Sequence, residues 1–300
     1  MTGTGTQADP YICDTWEELL SVTTSASVYA EISDNAEKIV DLNETIPQGY
    51  SESIELSGHI DFNGLVIKNF HSYARRAIYI QARHTGNSWK NVTFDNFYQQ
   101  YSGSDSKDYA FIGTDTGESK ILMQNCNFYG KLNYNHSNSS GKVCAFYSSN
   151  YRVLTFDQCA FTVEISCNNH AVDVFRMNYI KDSHVKINVN ALSANIVTVE
   201  TSSEKSRYIF NSFVEGKVTV SDTTTNIYCG DGYSGFNYFS LQTNVALAYG
   251  GYGVSVFNSD LSPDTVGHDT FAGCTSEQIK NANYLCSVGF PCYRGDEEWT

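Results

Sequence analysis

Apolar and polar residues alternate along the middle of this chain in short runs, and the runs recur. Thr162-Val-Glu-Ile165, Val185-Lys-Ile-Asn-Val189 and Lys217-Val-Thr-Val220 put every second side chain on one face. That is the period of a strand with one side buried and the other wet. Each recurrence couples such a run to an Asn or Asp beside a small residue, as in Ile121-Leu-Met-Gln-Asn-Cys126 and Tyr208-Ile-Phe-Asn-Ser212. Anchoring on Asn69, Asn96, Asn125, Gln158, Asp182, Asn211 and Asn258 gives intervals of 27, 29, 33, 24, 29 and 47, the last close to two periods. A shorter apolar run precedes the anchors, for example Val143-Cys-Ala-Phe-Tyr147 and Ala171-Val-Asp-Val174, and a third follows several of them.

Three short strands per irregular period is the arithmetic of a solenoid, whose coils bury their inward faces only by stacking. The pattern predicts an all-β chain folded as a right-handed parallel β-helix. Asn tolerates the left-handed conformation that a sharp corner needs, and it bonds along a ladder of its own kind. Small residues after the anchors (Cys126, Cys159, Ser183, Ser212, Ser259) suit a tight buried corner. A β-sandwich or jelly roll would explain the alternation but not the recurring corner. Asn-Gly, the strongest hairpin dipeptide, occurs once, at Asn63-Gly64.

Solenoid ends need caps. Thr15-Trp-Glu-Glu18 reads as a capping box opening a short helix with Trp16, Leu19 and Leu20 on its apolar side. Residues 276–285 read as a second short helix. The expected organisation is an N-terminal cap with the first strands at 1–45, a β-helix at 46–262, and a C-terminal cap and tail at 263–300.

Composition narrows the function. Lys and Arg number 19 against 33 Asp and Glu, a net charge of −14, and only 17% of residues are charged. A surface of that sign repels phosphates, so no nucleic-acid partner is expected. No apolar run approaches the ~20 residues of a membrane span. Met1-Thr-Gly-Thr-Gly-Thr6 has neither a basic nor an apolar stretch, so no signal peptide is expected. The nine cysteines form no Cys-x-x-Cys pair and no His stands at zinc spacing, so the reading is reduced thiols packed as small apolar groups, with no metal. Cys286 and Cys292 are the one pair placed to bridge.

Gly5-Thr-Gln-Ala-Asp-Pro-Tyr-Ile12 with Trp16-Glu-Glu-Leu19, the stacked Asn-small corners and Leu285-Cys-Ser-Val-Gly-Phe-Pro291 resemble the pectate-lyase-like, β-helical virion proteins of bacteriophages. The resemblance spans nearly the whole chain. It implies a structural protein of the tail or head decoration, located in the virion, often trimeric, in contact with other virion proteins and with a host-surface or mucosal glycan.

Candidate chemistry is sparse, and no cofactor is expected. A polysaccharide lyase or glycoside hydrolase needs placed acids. Asp105, Asp108, Asp115 and Glu118 form the densest acidic group, on two neighbouring loops, but their spacing matches no Ca²⁺ loop and solvated carboxylates are the plainer reading. Arg75-Arg76 would suit an acidic sugar but lacks a companion acid at a telling spacing. Gly230-Asp-Gly-Tyr-Ser-Gly235 and Gly250-Gly-Tyr-Gly253 read as turns. Binding is better supported. Tyr98, Tyr101, Tyr109, Tyr129, Tyr134, Tyr147 and Tyr151 cluster around the middle coils, where Tyr offers a flat apolar body and a polar tip to a sugar, or else covers coil edges and subunit contacts. A non-enzymatic glycan-binding virion protein is thus the first expectation, and a depolymerase using carboxylates on the lateral face the second.

Overall fold

The computed structural model describes residues 1–81, 86–103, 109–114, 120–136, 143–148, 154–176, 178–198, 209–232, 235, 237–251, 255–261, 265–267, 271–278, 281 and 287. Every ladder between its strands is parallel, and each turn of chain pairs with the turn before and the turn after. This is the parallel β-helix that the sequence repeat predicts. Three faces form the coil. Face 1 carries 59–61, 88–90, Ile121–Gln124, Leu154–Asp157 and Asn178–Lys181 in register. Face 2 runs from Ile39–Asp41 through 65–68, 92–103, Asn127–His136, 160–167 and 184–191 to Phe213–Val220 and Tyr238–Thr243. Face 3 stacks Ile54–Glu55, Arg76–Ile80, Ala110–Thr114, Val143–Tyr147, 172–176 and 194–198.

The bore is filled by rings stacked from coil to coil. Phe94 and Phe128 lie parallel at 5.8 Å, Phe128 and Phe161 at 5.4 Å, and Phe146 and Phe175 at 5.2 Å. In-register parallel strands put like residues one strand spacing apart, so rings stack offset and exclude water together.

Two corner ladders, not one, hold the turns. At the corner from face 1 to face 2, Asn63, Asn91, Asn125, Gln158, Asp182 and Asn211 all have positive φ. Their side chains bond upward, Asn91 Nδ2 to Asp61 Oδ1 at 3.0 Å and Asn125 Nδ2 to Asn91 Oδ1 at 2.8 Å. Asn69 and Asn96, the first two anchors read from the sequence, also have positive φ but belong to a second ladder within face 2. There Asn96 Nδ2 donates to Asn69 Oδ1 (2.6 Å) and Asn69 Nδ2 to Asp41 Oδ1 (2.9 Å). The true neighbours of Asn125 are thus Asn91 and Gln158. Asn63-Gly64 is one of these corners and not a hairpin. Asn258 also falls off the ladder: after Ser212 the small position just inside the corner is continued by Asn237 and Ser255, so the long last interval conceals a coil. Just inside the corner the amides of Cys159, Ser183, Ser212 and Asn237 each donate to the side chain of the next coil, Ser183 Oγ, Ser212 Oγ, Asn237 Oδ1 and Ser255 Oγ. Small residues stand there because each must answer a buried amide.

At the N-terminal end helix α1 (Trp16–Val22) starts at Thr15, whose hydroxyl accepts from the Glu18 amide, and buries Trp16 and Leu19. Glu18 returns its bond to the Asp14 amide (2.8 Å) rather than to Thr15, so the capping box closes one residue early. A second helix, α2 (Leu42–Thr45), was not expected. The parallel ladder already begins at Tyr11, paired with Ala30, inside the segment read as cap. Most of the expected C-terminal helix lies outside the described residues, but its start is reciprocal: the Gln278 amide donates to Thr275 Oγ1 and the Thr275 amide to Gln278 Oε1. The glycine runs read as turns lie partly in strands, Ile227–Gly232 and Leu247–Gly251.

All seven described cysteines are buried and unbridged; Cys286 and Cys292 lie outside the described residues. No helix among the described residues is long and apolar enough to cross a membrane.

Candidate functional site

Strict alternation along face 2 leaves a grid of polar side chains on its outer surface. One row runs His71, Tyr98, Lys131, Glu164, Asn188 and Lys217, and the next runs Gln100, Asn133, Ser166 and Asn190. Rows are two residues apart along the strand, and rungs repeat at the strand spacing of about 4.8 Å. Between them lies a shallow groove of about 270 Å³, walled by Tyr98 at one end and by Asn133, Ser166, Asn188 and Asn190 along its length. The Tyr98 ring is held edge-on against His71 (5.8 Å between centroids), and its hydroxyl donates to Gln100 Oε1 at 2.9 Å. Lys131 Nζ reaches across to Glu164 Oε2 at 2.8 Å.

Beside the groove runs a second surface feature. His184, Phe213 and Tyr238 occupy one outward row, with ring centroids 5.1 and 4.8 Å apart. Glu215 in the adjoining row accepts from His184 Nε2 (3.3 Å) and faces Lys186 Nζ (3.6 Å). Amides, a hydroxyl and ring edges give a surface that hydrogen-bonds and stacks. Glu164 is the one carboxylate among the described residues that line the groove, and it is ion-paired.

The tyrosines divide by parity. Tyr98 lines the groove, and Tyr129 stands half-buried on the outside, its phenol pushed up by burial and by the neighbouring Asp95. Tyr101, Tyr109 and Tyr134 turn inward at the corner between faces 2 and 3, with Tyr101 and Tyr109 rings 4.5 Å apart. Tyr109 and Tyr134 are buried, and burial raises the Tyr134 phenol well above its ordinary value. The Tyr134 hydroxyl donates to Gln99 Oε1 (2.8 Å), while Gln99 Nε2 donates to the carbonyls of Ala74, Ala110 and Arg75. Tyr109 and Tyr134 have no open face to offer a sugar, whereas Tyr101 is only half-buried. Tyr147 lies on the outer side of face 3, 8% exposed, with the guanidinium carbons of Arg76 and Arg176 at 5.1 and 5.9 Å from its ring centre. Arg76 and Arg176 thus share the Tyr147 ring, and Arg176 Nη1 lies 3.5 Å from the carboxylate of Asp173. Tyr151, Asp105, Asp108, Asp115 and Glu118 lie outside the described residues.

Sequence reading missed Asn133, Ser166, Asn188 and Asn190. The signal was present, since each sits between two inward residues of an alternating run. Among the described residues no group of three or more His, Cys, Asp or Glu side chains converges as a metal site would. Comparison with family models, with curated proteins and with solved structures returned no match for this chain.

Proposed function

We propose that this chain is a structural protein of a bacteriophage particle, carried on the tail or as head decoration, that binds a glycan of the host surface or mucosa without cleaving it. The virion placement, the trimeric state and the contacts with other virion proteins follow from the resemblance of the chain's ends and corners. The observation that carries the binding half is the groove on face 2. Its walls are an amide-rich comb at strand spacing, with an oriented Tyr98 at one end. Neutral hydrogen-bonding groups beside an aromatic ring are what a sugar's hydroxyls and apolar face require.

Saturation-transfer NMR on the purified protein with capsular and mucin-type polysaccharides tests this. Tyr98→Ala is expected to weaken binding about tenfold, equivalent to about 1.4 kcal/mol, with the fold intact by circular dichroism. Binding unaffected by Tyr98→Ala and by Asn188→Ala would remove the groove from the reading. New reducing ends or an unsaturated-uronate absorbance in the same samples would replace the binder with a depolymerase.

A further inference from the structure

The first coil of the helix is closed only in part. Helix α1 plugs the bore with Trp16 and Leu19, and Trp16 Nε1 donates to Tyr50 Oη at 3.4 Å. On face 1 the rim is covered, because Thr2 pairs antiparallel with Ile12. On face 2 it is open. The strand Ile39–Asp41 pairs with 66–68 on one side and, among the described residues, with no strand on the other. The Val66 amide donates to the Lys38 carbonyl at 2.8 Å. Parallel strands alternate the direction of their peptide groups, so Lys38 and Val40 turn toward the sheet and Ile39 and Asp41 turn outward. The Ile39 side chain is 49% exposed. An open edge with an exposed apolar residue is a template for another strand.

The charge around this edge decides what fits it. Residues 1–61 hold twelve of the carboxylates and one lysine, a net −11 of the chain's −14, and on the next coil Lys68 stands in register with Asp41. The lysine of that stretch, Lys38, is engaged, its Nζ 2.7 Å from the Ser33 carbonyl. Glu37 and Glu44, which flank the strand along the chain, are exposed. A second copy presenting the same end would meet like charge with like charge, and nucleic acid is repelled for the same reason.

We infer that the outer edge of Ile39–Asp41 docks an extended, Lys- or Arg-rich segment of a different protein by strand addition. Backbone bonds to the Ile39 amide and carbonyl and to the Asp41 amide supply the register (the Asp41 carbonyl is taken up as the N-cap of α2), Ile39 supplies an apolar contact, and the surrounding carboxylates steer and select the basic partner. This does not rest on the glycan groove, which lies on the outward surface of later coils.

The probe is a fluorescein-labelled peptide of alternating Lys and Val, titrated by anisotropy at 50 and 300 mM NaCl, with hydrogen exchange read on the complex. Saturable binding at 50 mM, weakened tenfold or more at 300 mM, is expected, with the Ile39 and Asp41 amides protected when the peptide is bound. Ile39→Pro removes one outward amide at a position an edge strand tolerates, and should lower affinity at least tenfold with an unchanged melting midpoint. Glu37→Lys with Glu44→Lys should weaken binding while leaving the same two amides protected at saturating peptide. No binding at 50 mM, equal binding of an alternating Glu-Val peptide, or protection away from Ile39–Asp41 in the wild-type complex would each overturn the proposal.

Discussion

Faces 2 and 3 are made by the same turns of chain in the same register, yet one is wet outside and the middle coils of the other are dry on both sides. On face 2 the residues of 160–167 alternate between buried and exposed. On face 3 all of Ala110–Thr114 and Val143–Tyr147 are buried, including their outward members Ala110, Cys144 and Tyr147. Charge follows the same division. One ion pair of face 2, Lys131 with Glu164, has side chains 59% and 50% exposed, whereas Arg176 with Asp173 on face 3 has 9% and 4%. On face 3 a Cβ on Gly113 would stand 2.6 Å from Arg76 Cδ, so the arginine lies flat on the sheet. A parallel coil can therefore carry a polar, solvated surface on one face and a second packing layer on another. The difference lies in which outward positions are polar.

The sharpest way to break this contrast is to remove one partner from each pair. Arg176→Met takes the cation from the buried Asp173 carboxylate, which keeps only a neutral bond from Asn195 Nδ2 (2.8 Å) among the described residues, and is expected to cost about 3–5 kcal/mol. Lys131→Met leaves a solvated Glu164 and is expected to cost less than about 1 kcal/mol. Urea unfolding of the two variants measures both. Equal losses would mean that the two faces are not differently solvated.

The joint between the faces comes next. Gln99 is buried, and its one side chain answers three carbonyls and the Tyr134 hydroxyl. Gln99→Leu keeps the volume but strands those groups, at an expected cost of about 2–3 kcal/mol. A loss under 0.5 kcal/mol by denaturant titration would show that the corner re-forms around water.

Much of this was open to a reader of the sequence, and the failures have definite causes. The coil and its three strands were legible because inward alternation and a small corner residue are physical requirements of stacking. The phase of the repeat was not, because left-handed Asn serves two corners with identical chemistry. Spacing alone does not distinguish Asn96 from Asn91 as the partner of Asn125. The inward tyrosines were legible in principle: Leu132 and Tyr134 share parity, as do Phe97, Gln99 and Tyr101. The dryness of face 3 was also written in Val143-Cys-Ala-Phe-Tyr147, a continuous apolar run of the kind that marks a strand covered on both sides. What no spacing encodes is the meeting of Arg76, Tyr147 and Arg176, which lie on three separate coils.

Alkaline pH offers the gentlest test, because the thiols sample both faces from inside. Burial pushes Cys167, an inward residue of face 2, up to about 11, and pushes fully buried Cys229, on the strand stacked beyond 194–198, higher still. A thiol pKa raised in the folded state means that the native chain keeps protons which the unfolded chain releases. The stabilisation is complete below the unfolded value of about 8.5 and is lost as pH climbs through the folded values. Urea midpoints should accordingly hold level from pH 7 to 8 and decline from pH 9 to 11. Alkylation read by mass spectrometry should reach Cys167 at lower pH than Cys229. Simultaneous labelling of the two across that range would mean that the coils open as a unit before either thiol ionises in place. The two ladders would then share one cooperative stability despite their different surroundings.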